Sequence, residues 1–387
     1  MARSALWRSE RGAPPPKRVV LADDTLSADS AYRMVCEGVG LLWRGDFQNA
    51  RQMVQALARR VDKPPKASKQ ARVERKRAAH AEAVGVPAGQ AFHLHRQAQS
   101  QRARVLGMVL IEFGADYGID LRRAPDAKNA CLEAWGLPDE SSGPSVASLR
   151  ELLGVISAHE WRKKGVEIPA LGKAPNNRIH PHYGVFSPVR GEYVDLVASA
   201  PLPARPPSKF VAFDIGTGTG VLAAVLALRE IDQIVATDQD PRALACAKEN
   251  LQRLHLPNPV KVMQADLFPE GLASVIVCNP PWLPARPGSP LEGAVYDEGS
   301  RMLLGFIKGV AAHLAPGGEG WLILSDFAEH LGLRTRAELL EAIKAGGLKV
   351  LGRMDVKPEH PKVLETTDPL HAARASEVTS LWRLGAV

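Results

Sequence analysis

FVAFDIGTGTGVLAAVLAL, residues 210–228, runs from an apolar strand-like segment through a glycine-rich turn into an apolar helix. Gly216, Gly218 and Gly220 let the backbone turn tightly and approach a ligand, and the start of the following helix offers unpaired N–H groups. Their spacing departs from the GxGxxG of dinucleotide folds, whose third glycine would fall at Val221. Asp214 stands directly before the glycines, where it would repel a pyrophosphate and suit a ligand with a cationic end, an ammonium or a sulfonium. Another ligand or a purely structural turn is the alternative.

Downstream of that turn, strand-like and helix-like patterns alternate, which predicts a mostly parallel sheet with helices on both faces. Strands are expected over Phe210–Ile215, Gln233–Thr237, Val260–Gln264, Ser274–Cys278, Trp321–Leu324, Leu348–Arg353 and Val378–Arg383. Helices are expected over Gly220–Arg229, Pro241–Leu254, Glu298–Leu314 and Arg336–Ala345. Pro241 suits a first helical turn, and Pro316-Gly317-Gly318 is read as the turn out of the third of those helices.

Three acidic or amide positions close the expected strands. Asp238 ends QIVATD and is placed to accept hydrogen bonds from ribose hydroxyls. Its competing role is an N-cap for the helix at Pro241, which Asp240 would fill equally well. Asp266-Leu267-Phe268 follows the third strand, where a carboxylate can take an adenine amino group and apolar neighbours can pack on the ring. Asn279-Pro280-Pro281-Trp282 follows the apolar strand SVIVC. There the Asn279 side-chain oxygen and the Pro280 main-chain oxygen can accept both hydrogens of an NH2 group. That arrangement aims the nitrogen lone pair at a methyl donor and disperses the charge that develops on it. Trp282 offers a flat face for a planar base or amide, so positioning does most of the work and no strong base is needed.

DIGTGTG, Asp238, ADLF and NPPW together resemble the class I S-adenosylmethionine-dependent methyltransferases, in the amino-methylating branch of the small methyltransferase domain group. That group contains release-factor glutamine methyltransferases and ribosomal and transfer RNA base N-methyltransferases. The resemblance covers roughly residues 180–387. It implies an α/β, Rossmann-like sheet of seven strands in the order 3-2-1-4-5-7-6 with the last antiparallel, and S-adenosylmethionine as cofactor. It assigns cofactor binding to Asp214, Gly216, Thr217, Gly218, Gly220, Asp238, Asp266, Leu267 and Asn279, and catalysis to Asn279, Pro280, Pro281 and Trp282, with no metal. Within YGVFSPVRGEYVDLV it places Phe186, Pro188 and Glu192 beside the methionine end of the cofactor. The chain departs from the glutamine methyltransferases, which usually carry NPPY and a PRPETE-like segment, in having NPPW and SPVRGEY.

Upstream, amphipathic helices are expected over Ala31–Ala58, Ala91–Gly114, Ser145–Lys164 and Ala71–Val84. Residues 1–180 carry 29 Lys and Arg against 19 Asp and Glu, and the remainder 20 against 23, so the net charge of +7 belongs to the N-terminal half. The run Lys63–Arg77 holds seven of those basic residues against the single acid Glu74. It is read as a solvated face or flexible arm, with phosphate contact the alternative. The division that follows is a mainly α-helical basic N-terminal domain over 1–167 suited to substrate recognition, a linker and pre-motif helix over 168–208, and the methyltransferase domain over 209–387. Cys36, Cys131, Cys246 and Cys278 form no CxxC pair and are expected to be buried free thiols. Trp43, Trp135 and Trp161 are expected as core anchors. No apolar run approaches the roughly 18–20 residues of a membrane span, and no secretory h-region opens the chain, so a cytoplasmic location without a membrane partner is expected. The acceptor is expected to be a nucleic-acid base, RNA before DNA; a protein glutamine and a non-catalytic cofactor-binding protein are the rivals.

Overall fold

The computed structural model describes residues 5–62, 88–138, 143–288, 290–359 and 370–387. The chain forms two compact units, Met1–Glu160 and Trp161–Val387. No described helix is long and apolar enough to cross a membrane.

The first unit contains β1 (Leu6–Arg8), β2 (Arg18–Ala22), α1 (Ala28–Cys36), β3 (Val39–Trp43), α2 (Phe47–Val61), α3 (Ala88–Leu106), β4 (Val109–Phe113), α4 (Lys128–Trp135) and β5 (Ser145–Ser148), with α5 (Leu149–Lys164) following. Helices dominate its length, as the periodicity predicts, and a five-stranded sheet in the order β1-β5-β4-β3-β2 accompanies them. Three of the helices read from the sequence have a short strand at one end or within them. Ala31–Ala58 is cut by VGLLW at β3, Ala91–Gly114 ends in VLIEF at β4, and Ser145–Lys164 begins with SVAS at β5. These short runs are buried on both faces, so they carry no alternation to separate them from a helix. The expected helix Ala71–Val84 and the basic run Lys63–Arg77 lie outside the described residues. Trp43 is buried, and Trp135 packs edge-on against Phe113 at 5.3 Å between ring centroids.

In the second unit a short hairpin, β6 (Val166–Glu167) with β7 (Arg178–Ile179), precedes α6 (Glu192–Ser199). Then come β8 (Val211–Ile215), α7 (Val221–Ala227), β9 (Gln233–Asp238), α8 (Pro241–Arg253), β10 (Val260–Gln264) and β11 (Ala273–Cys278). The chain continues through α9 (Arg301–His313), β12 (Leu314–Ser325), α10 (Phe327–His330), α11 (Arg336–Ala345), β13 (Leu348–Val356), α12 (His371–Ala375) and β14 (Thr379–Ala386). The sheet order β10-β9-β8-β11-β12-β14-β13 is 3-2-1-4-5-7-6, and β14 runs antiparallel to both neighbours, as expected. Ala212, Val275, Val277 and Ile323 face one core with α6 and α7; Phe213, Ile276, Leu322 and Leu324 face the other with α9 and α11. Burial on both faces accounts for the unbroken apolar strands. Pro316-Gly317-Gly318 falls inside β12 rather than ahead of it: α9 stops at His313, and the pairing of β11 with β12 shifts register between Ala273 and Val275.

Two smaller expectations fail. Cys131, Cys246 and Cys278 are buried free thiols, but Cys36, at the end of amphipathic α1, is exposed. Trp161 is 45% exposed and anchors no core.

Candidate active site

The carboxyl ends of β8, β9, β10 and β11 lie side by side, so the loops that leave them converge at one edge of the sheet, where open α/β sheets bind ligands. The DIGTGTG loop leaves β8 with Gly216, Gly218 and Gly220 at φ of +70°, +56° and +82°. Two of these have a clear cause. A Cβ on Gly220 would lie 3.2 Å from the Ala247 Cα, so its absence lets α8 pack against the loop. A Cβ on Gly218 would meet no protein atom within 4 Å, so that backbone faces open space. The loop is tied to β9 twice: Thr217 N–H donates to the Thr237 carbonyl at 2.8 Å, and Gly218 N–H to Asp238 Oδ2 at 3.0 Å.

Asp214 is buried, and one of its carboxylate oxygens accepts both the Thr217 hydroxyl at 2.6 Å and the Ala223 N–H at 3.0 Å. Burial pushes its carboxyl up to about 6, against the pull of those two bonds, and the nearby Asp238 charge adds to the rise. Asp238 is half-buried, and burial raises it as well, against bonds from the Asp240 and Gly218 N–H groups. The N-cap of α8 is Asp240, whose Oδ1 accepts the Arg242 N–H at 2.8 Å. Asp238 is thereby left at the loop. Two carboxyls held above their usual range at one edge favour a cationic ligand, which would stabilise their ionised forms.

On the neighbouring loop Asp266 is exposed and takes a hydrogen bond from Gln239 Nε2. Leu267 has φ +68°, and its carbonyl accepts the Thr237 hydroxyl at 2.6 Å, which fixes the turn on which Asp266 stands. Phe268 stacks on His313 with ring centroids 4.4 Å apart and belongs to the packing around α9 rather than to the loop edge.

At the end of β11, Asn279 and Trp282 meet directly: Trp282 Nε1 donates to Asn279 Oδ1 at 2.9 Å. One lone pair of that oxygen is therefore spent on orienting the indole, and the other is available for an incoming N–H. Pro280 is buried, and Pro281 and Trp282 are half-buried. The Arg190 guanidinium lies 5.2 Å from the Trp282 ring centroid, within cation–π range. Of the segment ahead of α6, Pro188 is buried, Phe186 is half-buried, and Glu192 accepts from Arg190 Nε at 2.9 Å.

Sequence reasoning missed two residues near Trp282. Arg190 lies inside the SPVRGEY segment, where any cation reads as a surface charge. Glu377, buried just ahead of β14, pairs with Arg190 Nη2 at 3.1 Å, and nothing local in ASEVTS marks it. Only the antiparallel course of β14, which brings its start to the carboxyl end of β12, reveals the placement. Among the described residues no group of three or more His, Cys, Asp or Glu side chains is arranged to hold a metal.

Residues 176–344 match the methyltransferase small domain family. The release factor glutamine methyltransferase of Cereibacter sphaeroides is 32% identical over 37% of this chain and 55% of its own length, so the chain spans about half that relative. The tRNA1(Val) (adenine(37)-N6)-methyltransferase of Shewanella amazonensis is 29% identical over 41% of this chain and 73% of its own length. A Methanocaldococcus jannaschii protein that bears a protein N5-glutamine methyltransferase name is 30% identical over 35% of this chain and 70% of its own length.

Proposed function

The chain belongs to the methyltransferase small domain family, and from that premise we propose that it methylates an exocyclic amino group of a nucleic-acid base, RNA before DNA. The observation that carries the reading is the Asn279–Trp282 pair at the end of β11, with the amide oxygen aligned by the indole N–H. A planar base stacked on Trp282 brings its amino hydrogens to the remaining lone pair of Asn279 Oδ1 and to the Pro280 carbonyl. S-adenosylmethionine supplies the electrophilic methyl group when bound. The open backbone at Gly218 and the raised carboxyls of Asp214 and Asp238 fit a sulfonium-bearing nucleoside. In this reading Asp214, Gly216, Thr217, Gly218 and Gly220 hold its amino-acid end, Asp238 its ribose, and Asp266 and Leu267 its adenine, with Asn279 beside the methyl group.

The basic N-terminal half supports a phosphate-bearing partner, because an excess of ten positive charges over residues 1–180 attracts a polyanion. Protein glutamine N5-methylation is the second reading, favoured by the names of two of the three relatives. Transfer of labelled methyl groups from S-adenosylmethionine to deproteinised RNA, to DNA and to a protein extract in parallel separates the two. Label in RNA upholds the base reading, and label confined to protein promotes glutamine.

A further inference from the structure

Asn279 Oδ1 can serve a reacting amine only while the oxygen, and not the amide nitrogen, faces that amine. The terminal torsion of an asparagine is soft and two-fold, so a partner must hold the amide. An indole N–H is a donor alone and pairs only with the oxygen, so the bond from Trp282 Nε1 at 2.9 Å fixes which way the amide points. That bond is only as well placed as the indole, and Trp282 is half-buried. Over its ring, 5.2 Å from the centroid, lies the Arg190 guanidinium. Two carboxylates from separate elements hold that guanidinium. Glu192, in the first turn of α6, accepts from Nε at 2.9 Å, and Glu377, ahead of β14, accepts from Nη2 at 3.1 Å. Glu377 is 2% exposed, and the same oxygen takes the hydroxyl of Ser325, the last residue of β12, at 2.7 Å. A planar fork gripped by two carboxylates keeps its orientation, and with it its place over the indole.

We propose that Arg190 is a positioning residue for methyl transfer: it touches no reacting atom, but seats the Trp282 indole whose N–H aligns Asn279 Oδ1. The inference rests on the reading that Asn279 accepts a hydrogen of the methylated amine, and it holds for a base and for a glutamine alike. An ion pair that only tied the segment ahead of α6 to β14 would leave the guanidinium face unused. Here that face is spent on the side chain that bonds to Asn279. Without Arg190 the indole can tilt and the amide turn, and the charge that develops on the nitrogen loses its aligned acceptor. The contacts that bind cofactor and acceptor stay in place, so the defect falls on turnover rather than on affinity.

The experiment uses the full chain with its tryptophans 15N-labelled at the indole; Trp282→Phe identifies the Trp282 signal among the seven. In Arg190→Ala that N–H signal should shift and exchange faster with solvent, a readout that needs no acceptor. The same proteins are then assayed with methyl-labelled S-adenosylmethionine on total RNA and on a protein extract, both from cells deleted for this chain. In Arg190→Ala, kcat is expected to fall about tenfold or more with both KM values held. Trp282→Phe keeps a flat ring but no N–H, and adding Arg190→Ala to it should cost no further turnover. An unmoved indole signal overturns the inference. So do losses that multiply in the double variant, which would make Arg190 act apart from Trp282, and a turnover that rises in Arg190→Ala, which would make the guanidinium a plug on the ring. Wild-type turnover in Asn279→Ala sinks the underlying reading instead. Arg190→Ala leaves Glu377 buried without its cation. Should that variant fail to bind cofactor, Arg190→Lys, which keeps the charge but not the planar fork, takes its place and is judged by the same indole signal and the same double variant.

Discussion

Neutralising Asp214 tests the loop through its own electrostatics. In the folded chain burial holds this carboxyl at about 6, against an ordinary value of 3.8. The unfolded chain therefore releases its proton at the lower pH. Between the two values the folded state binds more protons, so the stability this group contributes is complete below pH 3.8 and is lost as pH rises through about 6. With about 1.4 kcal/mol per pKa unit, a rise of about two units makes the loss about 3 kcal/mol. Asp214→Asn keeps an oxygen to accept the Thr217 hydroxyl and the Ala223 N–H but cannot ionise. The variant should therefore gain on the wild type by about 3 kcal/mol between about pH 4 and pH 7. Because the chain holds two compact units, native-state hydrogen exchange of the β8 and β11 amides, corrected for intrinsic rates, reads the relevant free energy better than whole-chain fluorescence. Parallel pH profiles for the two proteins would refute a buried carboxyl titrating near 6. Cofactor affinity supplies an independent check. A cationic ligand favours ionised Asp214, so wild-type affinity should weaken as pH falls below about 6, and the variant, which keeps only Asp238 to titrate, should weaken less.

Asn279→Ala should leave cofactor affinity largely intact and lower turnover about 100-fold or more, since it removes one acceptor from the reacting amine; wild-type turnover would take the motif out of the mechanism. Asp238→Ala should weaken cofactor binding measured by calorimetry, and unchanged affinity would refute the ribose assignment. Gly218→Ala adds a methyl where no protein atom lies within 4 Å, at a φ of +56°. It should therefore cost only about 1–2 kcal/mol of backbone strain while obstructing the cofactor, and undiminished cofactor affinity would place the ligand elsewhere. RNA affinity should fall steeply as salt rises from about 50 to 200 mM, and a flat response would remove the phosphate contacts assigned to the basic half.

The second unit was legible because every level of its sequence agrees. Largely apolar strands such as VAFDI and ASVIVC alternate with helices, and the glycines, Asp238 and NPPW each fall at a strand's carboxyl end. The first unit withheld its sheet because VGLLW, VLIEF and SVAS are too short and too evenly buried to show a period of two. Each adjoins a helix whose own amphipathic pattern absorbs it.

The site divides along the same line. Residues that act through the backbone, the role proposed for Gly218, or from a fixed place after a strand, as proposed for Asp238 and Asn279, leave a local signature, because the loop's geometry demands their type. Glu377 leaves none. Its side-chain partners, Arg190 and Ser325, are 187 and 52 residues away in the chain. It comes to that edge of the sheet because β14 inserts between β12 and β13 against the direction of β12, which turns a strand's beginning toward the edge where the parallel strands end.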